Sequence, residues 1–135
     1  MDALLSPSGP AQRGTGRILL VDDEDVLRRL ARSVLVRQGY DVVDAGDPIV
    51  AVAIAAQHPD SFDLILADVI MPGMRGYEMV SHIRPHQLRA RVLYMSGYPG
   101  EIEHVADQVR PLLPKPFRPR QLLDEIRRVL EAPPL

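Results

Sequence analysis

Cysteine and tryptophan are absent from the 135 residues, and the aromatics amount to four Tyr and two Phe. With no thiol there is no disulfide scaffold, and the core has to be built from aliphatic side chains. A block of one charge is missing as well. Sixteen Lys and Arg against eighteen Asp and Glu leave a net charge of -2. Without a basic run to suit phosphates or anionic lipid, nucleic acid and membrane are not expected partners. The apolar runs fall far short of the ~20 residues of a membrane span. The start, Met1-Asp2-Ala3-Leu4-Leu5-Ser6-Pro7, has neither the basic nor the apolar region of a signal peptide. The expectation is a soluble, cytoplasmic protein, and the missing Cys fits a reducing compartment.

What is present is ordinary globular material, 46% hydrophobic and 25% charged, in a chain long enough for one domain and too short for two. Thirteen prolines are spread unevenly. Residues 1–16 hold Pro7, Pro10, Gly9, Gly14 and Gly16 without apolar periodicity and read as a flexible tail or linker, and 132–135 read as a second tail. Residues 17–131 are the expected domain.

Within it, short aliphatic runs alternate with segments of helical period. Arg17–Asp22, Asp41–Ala45, Asp63–Asp68 and Arg91–Ser96 read as strands, mostly too continuously apolar to leave one face in water, with Leu112-Leu113 as a short fifth. Between them, Leu27, Leu30, Ala31, Val34 and Leu35 form one helical stripe, with Arg28, Arg29, Arg32 and Arg37 elsewhere and Gly39 as the stop. Pro48–Gln57 suits a buried second helix, Tyr77–Arg84 a third ending before Pro85, Glu101–Arg110 a weaker fourth. Leu122, Leu123, Ile126, Val129 and Leu130 mark the last. Five βα units with right-handed crossovers wind into a three-layer α/β sandwich whose functional edge is the C-terminal ends of the strands.

That edge collects the chemistry. Asp22 and Asp23 end the first strand, Asp68 the third and Ser96 the fourth, and Lys115 follows the fifth. Three carboxylates brought together repel one another unless a hard divalent cation such as Mg²⁺ sits among them. An ammonium and a hydroxyl beside them complete a site for a phosphoryl group, with Asp68 best placed as nucleophile. Taken singly, each piece has a plainer reading. The run Asp22-Asp23-Glu24-Asp25 could cap a helix, Asp68 could be a turn residue, and Ser96-Gly97 and Lys115-Pro116 are common loop dipeptides. His82 and His86 have helical metal-pair spacing, but Pro85 interrupts the helix and they read as solvated. The five Met read as core filler.

In this order and spacing the pieces resemble the receiver domain of two-component response regulators over residues 17–131. The matching parts are Asp22-Asp23, Asp68-Val69-Ile70-Met71-Pro72-Gly73 with Gly76, Met95-Ser96-Gly97 and Lys115-Pro116-Phe117. The resemblance implies a flavodoxin-like doubly wound (βα)5 fold with a five-stranded parallel sheet of order 2-1-3-4-5. It implies that Asp68 accepts a phosphoryl group from the phosphohistidine of a histidine kinase or histidine phosphotransfer domain. It further implies that Asp23, Asp68 and the Ile70 carbonyl bind Mg²⁺, with Asp22 acting through water, and that Ser96 and Lys115 contact the phosphoryl oxygens. The Lys115-Pro116 bond is typically cis in such domains. The role expected is a switch that promotes its own phosphorylation and dephosphorylation rather than an enzyme, as a monomer or weak dimer that passes a signal to a downstream protein. The stretch Val92–Tyr98 is most similar to receivers at the C-terminal end of hybrid sensor kinases.

Two departures stand out. The position three before the lysine, usually aromatic, is Leu112, and the 19 positions from Ser96 to Lys115 are about one helical turn short. The acceptor chemistry is expected to be intact and the output face atypical, with Tyr98 covering the site edge. The alternatives are a pseudo-receiver that binds partners without phosphorylation, or an enzyme of flavodoxin or aspartate-nucleophile phosphatase type. The first is opposed by the complete residue set. Flavodoxin chemistry is opposed by acidic residues where an FMN phosphate would sit, and the phosphatase by the absence of Asp-x-Asp after the first strand.

Overall fold

The computed structural model describes residues 15–97 and 111–133. The predicted fourth helix, Tyr98, most of the first predicted tail and half of the second lie outside those residues. Five strands, β1 (Arg17–Val21), β2 (Asp41–Ala45), β3 (Leu64–Asp68), β4 (Arg91–Ser96) and β5 (Leu112–Pro114), form one parallel sheet in the order β2-β1-β3-β4-β5. This is the expected doubly wound order. Each strand was legible because its aliphatic residues must face two covering layers rather than one.

The two layers divide the strands residue by residue. Ile18 and Leu20 of β1, Leu64 and Leu66 of β3, and Leu93 and Met95 of β4 pack with Ala31 and Leu35 of α1 (Asp25–Gln38) and Leu122, Ile126 and Val129 of α4 (Pro119–Glu131). Leu19, Val21, Ile65, Ala67 and Tyr94 face the other way, onto Ala51 and Ala55 of α2 (Pro48–Gln57) and Met79, Val80 and Ile83 of α3 (Gly76–Ile83). Met71, Met79 and Met95 are all buried.

Helix ends follow their local chemistry. Gly39 closes α1 at φ 110°. Its N–H donates to Val36 O and that of Tyr40 to Leu35 O, the paired bonds of a Schellman turn. Asp47 opens α2 by accepting from the N–H of Ile49 at 2.6 Å, with Pro48 at the first helical position.

Three expectations need correction. The α1 stripe is narrower than the sequence suggests, with Leu30 exposed, because Ala31 and Leu35 alone form the buried seam and Leu30 lies about 100° away from Ala31. Helix α2 is not buried all round: Ile49 is 71% exposed and Val50 50%, since the small side chains of Ala51 and Ala55 are what bring the helix against the sheet. The third helix runs Gly76–Ile83 and gives way to a 3₁₀ turn at Arg84–His86, where Pro85 has no N–H to continue the α ladder.

One buried polar residue holds the lower layer together. Gln87 is fully buried. Its Nε2 donates to the carbonyls of Ala55 (2.9 Å) and His58 (2.6 Å), and its Oε1 accepts from Phe62 N (3.1 Å), tying the end of α2 to the approach to β3. Replacing it by Leu leaves three buried backbone groups without that partner. Gln87→Leu is expected to lower unfolding stability by about 2–4 kcal/mol in urea titration.

Candidate functional site

Parallel pairing sets the heights of the strand ends. Val21 pairs with Ala67, Asp68 with Met95 and Ser96 with Pro114, so the residues following β1 and β5 emerge beside the last residues of β3 and β4. The ladder continues past the strands through Asp22 N to Ala45 O (3.2 Å), Val69 N to Met95 O (2.9 Å) and Lys115 N to Ser96 O (2.7 Å). Asp22, Asp68, Ser96 and Lys115 are thereby brought to one edge, and the Lys115-Pro116 bond is cis.

At its centre is the Lys115 ammonium, its side chain 8% exposed. It donates to Asp22 Oδ2 at 3.1 Å, Asp68 Oδ2 at 3.1 Å and Glu24 Oε1 at 3.0 Å. Asp22 and Asp68 are buried and Glu24 is exposed, and the three carboxylates offer oxygens within 4.8 Å of one another. Asp23, predicted as a ligand, is half-buried and is not one of those three; Glu24, given no role by the sequence, is. Ser96 is buried at the same edge.

The acidic loop is not a side-chain helix cap. Glu24 occupies the cap position of α1 without a capping bond. Instead Asp22 Oδ1 accepts from Glu24 N at 2.9 Å, folding the loop back on itself. Arg28, which the helical pattern places among outward residues, points inward. Its Nη1 donates to Asp22 O at 2.7 Å, its Nε to Asp44 Oδ2 at 3.0 Å, and its Nη2 pairs with Asp25 at 2.9 Å. A Cβ at Gly46 would stand 2.6 Å from that Nη1, so the absence of a side chain there leaves the guanidinium its place. A helical period cannot report a partner on another strand, which is why Arg28 was missed.

The segment after Asp68 is equally constrained. Ile70-Met71 and Met74-Arg75 pair as a two-residue antiparallel ribbon around Pro72-Gly73, where Gly73 has φ 84°. Pro then Gly with positive φ is the central pair of a type II turn. The ribbon returns the chain so that Gly76 N donates to Val69 O at 2.7 Å. A Cβ on Gly76 would lie 2.1 Å from the Asp68 carbonyl oxygen.

Charge is the dominant property. Three carboxylates and one ammonium make a formal -2 in a largely buried pocket. Burial pushes the Asp68 carboxyl up from 3.8 to about 7, with Lys115 opposing the rise and Asp22 adding to it. Burial works against the Lys115 ammonium, but the charges of Asp68 and Asp22 outweigh it and hold that group above its ordinary value. Carboxylate oxygens with surplus negative charge are the donor set of a hard divalent cation. The residues present therefore fit Mg²⁺.

A doubly wound sheet with an acidic pocket and a buried lysine at its C-terminal edge defines a receiver-type α/β domain. The profile of the response regulator receiver domain matches residues 18–127, and the chain belongs to that family of two-component signalling domains. It is 31% identical over 121 residues to the sensor kinase CckA of Brucella abortus, covering 87% of this chain and 13% of the relative. It is 36% identical over 121 residues to the transcriptional regulatory protein CpxR of Escherichia coli, covering 84% and 49%. The chain thus spans half or less of the length of these curated relatives. Among solved structures, the receiver domain of the hybrid histidine kinase CckA superposes with TM-score 0.76 at 35% identity, covering 86% of this chain and all of that one. The chemotaxis response regulator CheY4 of Vibrio cholerae gives 0.74 at 31%, covering 86% and 99%. Among the described residues no helix is long and apolar enough to cross a membrane.

Gly76→Ala is expected to displace the Asp68 backbone, visible as shifted amide resonances of Asp68 and Val69, and to cost about 1–3 kcal/mol in denaturant titration. The Asp68 titration gives a pH-dependent prediction for metal-free protein. Its folded value lies above the unfolded one, so the folded state holds the extra proton between about pH 4 and 7 and stability falls as pH rises through that window. Asp68→Asn, which cannot ionise, should melt higher than wild type at pH 8 in EDTA, and that advantage should vanish near pH 4. Equal melting at both pH values would contradict the assigned burial cost.

Proposed function

We propose that this chain is a phosphoacceptor switch: Asp68 takes a phosphoryl group from the phosphohistidine of a histidine kinase or histidine phosphotransfer domain, in a Mg²⁺-dependent reaction. The observation that carries this reading is the buried Lys115 ammonium shared between Asp68 and Asp22 at 3.1 Å each. A lone pair on an Asp68 carboxylate oxygen forms the new O–P bond while the donor's P–N bond breaks, its electron pair remaining on the imidazole nitrogen. Lys115 then donates to the transferred phosphoryl oxygens, and the Ser96 hydroxyl supplies a second donor. Asp23, Asp68 and the Ile70 carbonyl would hold Mg²⁺, with Asp22 acting through water. Bound there, the cation offsets the negative charge that the carboxylates and the phosphoryl group bring together.

The raised Asp68 value supports the same role. Burial holds the Asp68 carboxyl above its ordinary value, and positive charge drawn to the pocket favours the ionised, nucleophilic form. The chain is no conventional enzyme in this reading, because the phosphoryl group ends on its own side chain and turnover requires the domain to lose it. A downstream protein would read the switch. Leu112 pairs with Tyr94 and is partly buried against the α2/α3 core, so the output step proceeds without an aromatic ring at that position. The domain acts as a monomer or weak dimer, with no role for nucleic acid or membrane.

Incubation with Mg²⁺ and a small phosphodonor should add one phosphoryl group by intact-mass spectrometry. Asp68→Asn should abolish the addition, and Lys115→Ala should slow it at least about tenfold, the loss of one charge-assisted contact. Wild-type protein that gains no mass and shows no heat on Mg²⁺ titration would replace this reading with a phosphorylation-independent binding module.

A further inference from the structure

An ammonium has three N–H donors and no more. All three of Lys115's are directed at carboxylates, those of Asp22, Asp68 and Glu24. A phosphoryl oxygen arriving at Asp68 therefore finds no donor on Lys115 until one of these partners withdraws. Asp68 is the nucleophile and keeps its contact with Lys115 until the O–P bond forms. Asp22 is 2% exposed, and its other oxygen is fixed by Glu24 N at 2.9 Å. Glu24 is different: its side chain is 56% exposed, makes no cap bond on α1, and has water available in exchange for Lys115.

We propose that Glu24 is an occluding carboxylate: it holds the third N–H of Lys115 while Asp68 is unmodified and yields it to the arriving phosphoryl oxygen, so it sets how strongly the site takes up an anionic phosphodonor. This rests on the phosphoacceptor reading. Glu24 acts through Lys115 and is a positioning residue rather than a catalytic one. With acetyl phosphate as donor, an Asp68 oxygen gives a lone pair to phosphorus and the P–O bond to the acetyl carboxylate breaks. Acetate leaves with the bonding pair, and no proton passes through Glu24. The occluding side chain has two effects on that donor: it adds a negative charge at the mouth of the pocket, and it occupies the N–H the donor's phosphoryl group needs.

The test is a saturation series in acetyl phosphate at saturating Mg²⁺, followed by intact mass, on the whole chain. In Glu24→Gln the half-saturating donor concentration should fall about two- to fivefold, the scale of one exposed ion pair, with the melting temperature unchanged. Glu24→Asp keeps the charge but is one methylene too short to hold Lys115, and it should also lower the half-saturating concentration, by less than the Gln variant does because the charge at the mouth remains. An unchanged or higher half-saturating concentration in Glu24→Gln overturns the proposal. So does a Glu24→Asp variant that keeps the wild-type value, since charge alone would then account for the effect. Wild-type protein that takes no phosphoryl group at all removes the phosphoacceptor reading, a result distinguishable from either of these.

Discussion

A lysine ammonium buried among carboxylates is the constraint on which the rest of the structure depends. Taking such a charge out of water is costly unless anions and hydrogen bonds surround it, and Lys115 meets that condition with partners from two other segments, Asp22 and Glu24 after β1 and Asp68 at the end of β3. None of these residues could reach it unless β1, β3 and β5 ended at a common height. The parallel register supplies this, and where the connections are described helices on the two faces return the chain so that the strands run in the same direction. The two-sided aliphatic core and the acidic edge are consequently one design. The core fixes the strand ends, and the strand ends fix the charges.

The same constraint explains the unusual backbone around the pocket. Asp68 must present its carboxylate toward Lys115 while the chain turns away into α3, and the ribbon Ile70–Arg75 with its Pro72-Gly73 turn accomplishes this within a few residues. The close approach of Gly76 to the Asp68 carbonyl is what keeps that return tight. On the opposite side, Arg28 joins the Asp22 carbonyl to Asp44 and Asp25. The acidic loop, which mutual repulsion would otherwise spread apart, is thus held by a cation beneath it as well as by Lys115.

Much of this was legible in the sequence, for a physical reason. Strands covered on both faces must be continuously apolar, so their ends are marked where Asp22, Asp68 and Ser96 interrupt the run, and a parallel sheet brings such ends together. Lys115 was found because it follows the last short run. What could not be read were residues whose roles depend on partners distant in the chain. Arg28 has the polarity of an outward helical residue, and only Asp44 and the space above Gly46 turn it inward. Gln87 lies in a polar connection, and its burial follows from two carbonyls and an N–H that no local pattern joins. Glu24 was hidden inside a run of four acids, where the sequence gives no means of telling which carboxylates face the lysine. The exposed Ile49 and Val50 mark the converse failure, since apolar composition was taken for burial on a helix whose contact surface is alanine.

The charge balance also narrows how the site can respond to an occupant. Three carboxylates against one ammonium leave a formal -2, and phosphorylation replaces the single charge of the Asp68 carboxylate by about -1.5 to -2 at neutral pH, so the negative charge of the pocket rises further. Buried charge of that size cannot be tolerated without compensation. Lys115 provides one positive charge already committed to three partners, so compensation has to come from a cation entering the pocket or from an acidic side chain leaving it. Asp22 and Asp68 are fixed by burial and by their hydrogen bonds, and Asp22 is tied to the loop that Arg28 secures. Of the three converging carboxylates, only that of Glu24 sits where water can take it. The exposed acid and the buried lysine are thereby the two ends of one adjustment. The pocket relieves its excess charge at its rim, while the strand ends that create the site stay in register.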